Sequence, residues 1–221
     1  MKADLATHGF AILENVLPLA DLTALEALPT PGEAAGLRGL LAFPTVAALA
    51  HSPMLLDVVR PHLAGQPRPV RGILFDKSPD ANWLVPWHQD LTIAVRAAVE
   101  DANGFGPWST KDGVPHVQPP VALLEQMITI RLHLDAADEE NGALRVLPGT
   151  HRFGRLSAER IRALRREREE VLCAVPAGGA LLMRPLLLHA SSRSTSIRRR
   201  RVVHLEYAGF ALPEPLAWAE G

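Results

Sequence analysis

Between residues 127 and 135 the chain alternates strictly: Met127, Thr129, Arg131, His133 and Asp135 fall on one face, Ile128, Ile130, Leu132 and Leu134 on the other. A period of two marks a strand with one apolar side. The opposite side is ionisable, so it must line something wet, such as a barrel lumen. Elsewhere Leu, Val and Ala recur at helical spacing over residues 18–28 and 45–63, punctuated by Pro18, Pro44 and Pro61, which predicts helices packed outside a sheet. Residues 70–75, 143–147, 171–175, 179–183, 186–189 and 201–207 read as strands separated by turns rich in Gly, Pro and Asn. Residues 157–172 read as a helix with Ser157 as N-cap and a solvated face of mixed charge. Many short strands with turn signals at this spacing indicate a sandwich or barrel rather than a βαβ fold.

Residues 101–120 interrupt the pattern. The stretch is dense in Gly and Pro, with Phe105, Trp108 and His116 scattered through it. It reads as an ordered lid or as a surface excursion whose tryptophan covers core. The whole of residues 1–221 is expected to form one domain, with a helical N-terminal part over about 1–66, a sheet core over about 70–210 and the lid over 101–120.

Charge removes some partners. With a net charge of −1 and a pI near 6.8, there is no electrostatic reason to expect nucleic acid or an anionic membrane. One cysteine, Cys173, excludes an internal disulfide. No apolar run reaches membrane-spanning length, and no secretory h-region stands out near the start. A cytoplasmic protein acting on a small molecule is the expectation.

The candidate chemistry lies in histidines two residues before an acid. Alternate residues of a strand share a face, so a His-x-Asp can offer an imidazole and a carboxylate to one metal. Three such triplets occur: His88-Gln89-Asp90, His133-Leu134-Asp135 and His204-Leu205-Glu206. Composition alone predicts roughly one by chance, so none is diagnostic by itself. A further histidine, His189, follows the apolar run 186–188 and is placed to give a second imidazole from a neighbouring strand. Two histidines and a carboxylate form the facial ligand set of non-haem Fe(II) oxygenases. Eleven residues beyond His189 stands Arg200, a cation able to pair with an oxoacid carboxylate. It sits in a run of four, Arg198 to Arg201, which could equally be a solvated basic turn.

Three blocks carry a resemblance to a known family: Trp87-His88-Gln89-Asp90; residues 140–151, Glu-Asn-Gly-Ala-Leu-Arg-Val-Leu-Pro-Gly-Thr-His; and residues 184–191, Arg-Pro-Leu-Leu-Leu-His-Ala-Ser. In content and order they resemble the phytanoyl-CoA dioxygenase family of Fe(II)/2-oxoglutarate oxygenases, over roughly residues 70–210. The resemblance implies a mainly β fold, a double-stranded β-helix (jelly roll, cupin-like) core with flanking α-helices. It implies His88, Asp90 and His189 as the Fe(II) ligands, Arg200 and Ser191 on the distal carboxylate of 2-oxoglutarate, and Ile73 and Arg131 against that co-substrate. Arg131 stands where an aromatic residue is the family's habit, and is expected to bind an anion of the substrate instead. The implied reaction consumes O₂ and 2-oxoglutarate, releases succinate and CO₂, and by default hydroxylates a C–H bond. Asp90 argues against halogenation, since related halogenases carry a small residue there.

Trp83, Trp87, Phe105 and Trp108 are expected as apolar walls of the substrate pocket, with Arg131, His133 and Arg193 as its polar contacts. A compact chain favours a small metabolite over a long acyl thioester. Two other classes fit the same ligands: a non-catalytic cupin-like protein that binds metal or a small molecule, and a zinc-dependent hydrolase.

Overall fold

The alternating segment forms a strand, Met127–His133, inside a six-stranded antiparallel sheet. A computed structural model describes residues 4–32, 34, 36–99 and 102–221. Its strands are β1 Phe10–Leu13, β2 Gly36–Arg38, β3 Arg68–Lys77, β4 Val85–His88, β5 Ile93–Ala94, β6 Trp108–Lys111, β7 Val114–Val117, β8 Met127–His133, β9 Leu144–Val146, β10 Val171–Cys173, β11 Ala180–Met183, β12 His189–Ser191 and β13 Arg200–Ala208. The α-helices are α1 Leu5–His8, α2 Leu19–Glu26, α3 Pro44–Ala50, α4 Pro53–Val59, α5 Val121–Leu124 and α6 Ala158–Glu167. The large sheet runs β1-β11-β8-β13-β3-β2, a second runs β10-β9-β12-β4, and a third runs β5-β7-β6. The first two make the expected double-stranded β-helix.

Alternation decides what each face touches. Ile128, Ile130 and Leu132 of β8, Val203, Leu205 and Tyr207 of β13 and Leu74 of β3 pack against Leu25, Val46, Leu49, Leu55 and Val59 of the helices. Each such aliphatic side chain contributes about 1.5–3 kcal/mol on burial, an upper bound since the unfolded chain is itself partly collapsed. Tyr207, wholly buried, donates its hydroxyl to the Ala50 carbonyl at 2.8 Å, tying β13 to α3. The intervening residues, Arg71, Ile73, Phe75 and Lys77 on β3, Thr129, Arg131 and His133 on β8, and His204 and Glu206 on β13, turn toward the second sheet. At one end that space closes on apolar residues, Phe10, Leu181 and Met183 against Leu144, Val146 and Cys173. The rest is polar.

Four expectations need correction. The N-terminal part is not purely helical: β1 and β2 extend both edges of the large sheet by pairing with β11 and β3. Strands this short carry no period of their own, and the waiting sheet edges define them. The strand expected over 186–189 is instead a turn with His189 opening β12. Leu186, Leu187 and Leu188 are buried in three different clusters, so successive side chains diverge instead of alternating. The helix expected over 157–172 spans only Ala158–Glu167, capped as expected by Ser157, whose hydroxyl accepts from the Arg160 N–H at 3.1 Å. The stretch 101–120, whose first residue lies outside the described set, carries a hairpin of β6 and β7 joined to β5. No described helix is long and apolar enough to cross a membrane.

Candidate metal centre

His88 ends β4 and His189 opens β12, and the two are directly paired across that ladder. Asp90 lies just past β4, held where its backbone N–H donates to the Pro185 carbonyl at 2.9 Å. Its two carboxylate oxygens reach the two imidazoles, His88 Nε2 at 3.7 Å and His189 Nε2 at 3.7 Å. One ligand atom from each of the three residues lies within 4.8 Å of the other two, and among the described residues no other trio of His, Cys, Asp or Glu converges in this way. With ligand bonds of about 2 Å, a small side-chain adjustment closes this trio on one ion.

The tautomers are already set. His88 Nδ1 contacts the Pro86 carbonyl at 2.8 Å, and His189 Nδ1 the Leu187 carbonyl at 2.8 Å. A carbonyl only accepts, so each Nδ1 carries the proton and each Nε2 presents a lone pair. Burial pushes His189 down to about 4, with the Asp90 charge opposing and His88 adding to the shift. Asp90 settles at about 2: burial works to raise it, but His189, His88 and the more distant Arg131 overcome that. Near neutrality the pair is in the ligating forms, a neutral imidazole and a carboxylate.

Neighbouring residues hold these ligands in place. Gln89, between His88 and Asp90, points away and clamps the next layer: its amide donates to the carbonyls of Leu186 at 2.7 Å and Gly154 at 2.8 Å and accepts from the Leu156 N–H at 2.8 Å. Thr150 accepts from the Leu188 N–H at 3.0 Å and donates to the Leu147 carbonyl at 2.7 Å, fixing the residue before His189. In the Asn141-Gly142 turn, Asn141 donates to the Ala136 carbonyl at 2.7 Å. Gly142 has φ +74, and a Cβ there would lie 2.5 Å from the Ser192 carbonyl oxygen. Only glycine allows that approach, which delivers the Gly142 carbonyl to the Ser191 hydroxyl at 2.8 Å.

A cavity of about 150 Å³ joins the ligand trio to Arg131, Ser191 and Arg200, with Phe75 and Trp83 as walls. The arginine run resolves itself here. Arg198 pairs with Asp138 and Glu140, Arg199 with Asp76, and Arg201 with Asp135 and Glu26. Arg200 alone turns inward, 3% exposed, and its Nε and one terminal nitrogen have no partner. Burial, then Arg131, pulls it down to about 9. Lys77, fully buried, donates to the Ser191 hydroxyl at 3.0 Å and to the Ser192 carbonyl at 2.5 Å. Burial and the charges of Arg200, Arg131 and Arg193 lower its pKa to about 7. Sequence reasoning missed Lys77; its place on the inward face of β3, in phase with Ile73, was the available signal. A buried guanidinium with unsatisfied N–H groups is costly unless an anion completes it. These residues fit a dicarboxylate beside a divalent metal.

The remaining expected site residues divide. Arg131 lies in the cavity, donating to His204 Nδ1 at 2.9 Å and lying over Phe75. His204 in turn meets Glu206 at 3.3 Å, which pairs with Arg71 at 3.0 Å, so the third triplet is one link in a buried polar chain. Ile73 lines an adjoining cavity rather than the one holding Arg200. His133 is buried on the inward face with both ring nitrogens unpartnered, and burial with Arg131 and Arg200 holds it well below the usual imidazole range. It does not line the metal cavity, and Asp135 is spent on Arg201. Trp87 is a correction: adjacent to His88 on a strand, it faces the opposite way and stacks with Arg145 and Arg165. Trp108 and Phe105 pack on the cluster around Val117 and Ile93, not on the metal cavity. Arg193 is exposed and donates to the Asn82 carbonyl.

The family model described as Phytanoyl-CoA dioxygenase matches residues 5–202. The chain belongs to that family. Solved structures similar to this family member include AviO1 from Streptomyces viridochromogenes, at 21% identity and a TM-score of 0.68 over 95% of this chain and 93% of that one. EctD from S. alaskensis with 2-oxoglutarate and 5-hydroxyectoine gives 20% and 0.70 over 93% and 73%. The α-ketoglutarate-dependent carbocyclase SnoK from nogalamycin biosynthesis gives 14% and 0.68 over 92% and 81%. Comparison with curated protein sequences yields no match.

Proposed function

We propose that this chain is an Fe(II)- and 2-oxoglutarate-dependent oxygenase that hydroxylates a small metabolite while 2-oxoglutarate is converted to succinate and CO₂. Membership of the dioxygenase family supports the enzyme class. The observation that carries the co-substrate is Arg200, buried and without a carboxylate partner among the described residues, in one cavity with the ligand trio. Zinc hydrolysis requires only a metal-bound water and a general base, whereas a bidentate oxoacid reaching past the metal requires a cation where Arg200 stands.

In this reading His88, Asp90 and His189 hold the metal on one face. When bound, Fe(II) supplies the capacity to activate O₂ at the expense of the oxoacid. Arg200 orients the distal carboxylate, and Ser191, whose one hydroxyl hydrogen goes to the Gly142 carbonyl, holds the Lys77 ammonium beside it. Ser191 donates to Gly142 and accepts from Lys77, so its rotamer is set before any ligand arrives. Arg131, tied to His204 and packed on Phe75, keeps a positive field toward Asp90. Phe75 and Trp83 exclude water from the reacting side.

The test is anaerobic. Fe(II) and 2-oxoglutarate added together should produce the weak visible metal-to-ligand charge-transfer band, and admission of O₂ should release succinate. A protein that takes up zinc or iron yet gives neither band nor iron-dependent succinate would leave the binding or hydrolytic reading in place.

A further inference from the structure

A second cavity, of about 310 Å³, also opens onto His88 and Asp90, but its far walls differ. They bring together Arg38 from β2, Arg71 from β3, Glu206 from β13 and Lys111 from β6 of the hairpin. Once Asp90 is committed to a metal, Glu206 is the one carboxylate left in these walls, against three cations. Glu206 is already engaged by Arg71 and His204. Arg38 pairs with Asp112 at the exposed hairpin turn, an ion pair that joins β2 to the hairpin and bridges the cavity's edge. Lys111 differs: its ammonium is bonded to the Thr92 hydroxyl at 3.0 Å and, among the described residues, makes no ion pair. Burial and Arg71 both act against its charge, lowering its pKa. Ile73, Phe75 and Leu91 supply the apolar remainder of the wall.

We infer that this cavity receives the oxidised substrate, and that the substrate is a small molecule with an oxyanion end, a carboxylate or a phosphate ester, anchored by Lys111 with Arg38 beside it. The inference rests on the oxygenase reading, which puts the oxidised carbon at the His88 and Asp90 end. The volume lies at the low end of ligand pockets, about 300–1,000 Å³, and excludes a long acyl thioester folded within it. A half-buried ammonium with a hydroxyl as its polar partner among the described residues is stabilised by an incoming anion, which replaces lost hydration with a charged hydrogen bond. Substrate and co-substrate then occupy separate cavities that share Phe75 and His204 as well as the two ligands.

Saturation-transfer NMR on the protein saturated with diamagnetic Zn(II) and 2-oxoglutarate tests this with three probes: isobutyrate, methyl phosphate and neutral isobutyramide. The anions should be contacted and the amide not, and whichever anion saturates at lower concentration identifies the source of the oxyanion. A charged hydrogen bond is worth about tenfold to a hundredfold in affinity, so Lys111→Met should weaken the favoured anion by at least about tenfold, with Lys111→Arg restoring most of it. An unchanged Fe(II)·2-oxoglutarate band in both variants verifies that the fold and the metal site are intact. Equal contact with the amide, no contact with either anion, or an unaltered anion affinity in Lys111→Met would overturn the assignment. Absence of the band in the unaltered protein would instead remove the oxygenase reading, and the comparison of wild-type and Lys111→Met proteins would still report on the anion site.

Discussion

His88 and His189 face each other across the β4–β12 ladder with ring centroids 4.1 Å apart, although a hundred residues of chain separate them. Their Nε2 atoms are brought together by register, and the Asp90 carboxylate spans the two.

Removal of either imidazole or of the carboxylate should therefore abolish tight metal binding. Loss of an outer-shell partner alone typically costs 10–100-fold, so His189→Ala or Asp90→Ala should weaken Fe(II) binding by more than about 100-fold. Metal content after anaerobic loading, with circular dichroism to verify folding, measures this. Retention of one equivalent of iron by both variants would refute the assignment.

Arg200 and Arg199 are neighbours with opposite surroundings. Arg200→Gln should raise the apparent dissociation constant of 2-oxoglutarate by about tenfold or more, since a charged bidentate contact is lost. Arg199→Gln breaks a partly exposed pair with Asp76 and should leave that constant within about twofold. Titration of the visible band reads both.

Lys77 makes co-substrate affinity depend on pH. Its pKa in the free protein is about 7; a dianion bound nearby favours the charged form and raises it. Affinity is thus full below about 7, where Lys77 is already protonated, and falls as pH rises toward the higher pKa of the bound state. The carboxylates of 2-oxoglutarate stay ionised throughout. Dissociation constants measured from about pH 6 to about pH 8, short of the range in which Arg200, at about 9, loses its charge, should show this decline, and Lys77→Met should bind more weakly with a flat profile over the same range. A decline that persists in Lys77→Met assigns the titration to another group.

Gln89 holds three backbone groups, the Leu186 carbonyl buried and those of Gly154 and Leu156 half-buried. Gln89→Ala leaves them unsatisfied, at about 1–3 kcal/mol each before water compensates, so chemical denaturation should show a loss of a few kcal/mol. Metal affinity should fall with it, because Leu186 and Gly154 lose their common clamp. A stable variant with normal metal binding would make Gln89 a spacer only.

Much of the fold was legible beforehand. The 127–135 alternation correctly separated the helix-packed face of β8 from its lumenal face, because a half-buried strand writes its environment into successive residues. β1 and β2 left no such mark: three or four residues acquire strand geometry from the edge they meet. The hairpin within 101–120 was hidden for a related reason, since Trp108 and Val117 pack on a satellite cluster whose other members include residues as distant as Val70, Leu186 and Trp218.

The sequence by itself determined the chemical inventory: three His-x-acid triplets, a fourth candidate histidine, a run of four arginines and the Asn-Gly block that marks the family. Tertiary structure decided which of them act together. The His88 triplet meets His189, whereas Asp135 is turned to Arg201 and Glu206 to Arg71. Arg200 points inward while the other three find carboxylate partners, and Trp87, beside a ligand, points out. Lys77 and Lys111 gained significance only through what surrounds them. The physical reason is that local sequence sets the period of a strand, whereas long-range pairing sets its phase and partners, and a one-residue change of phase exchanges every lumenal side chain for its neighbour.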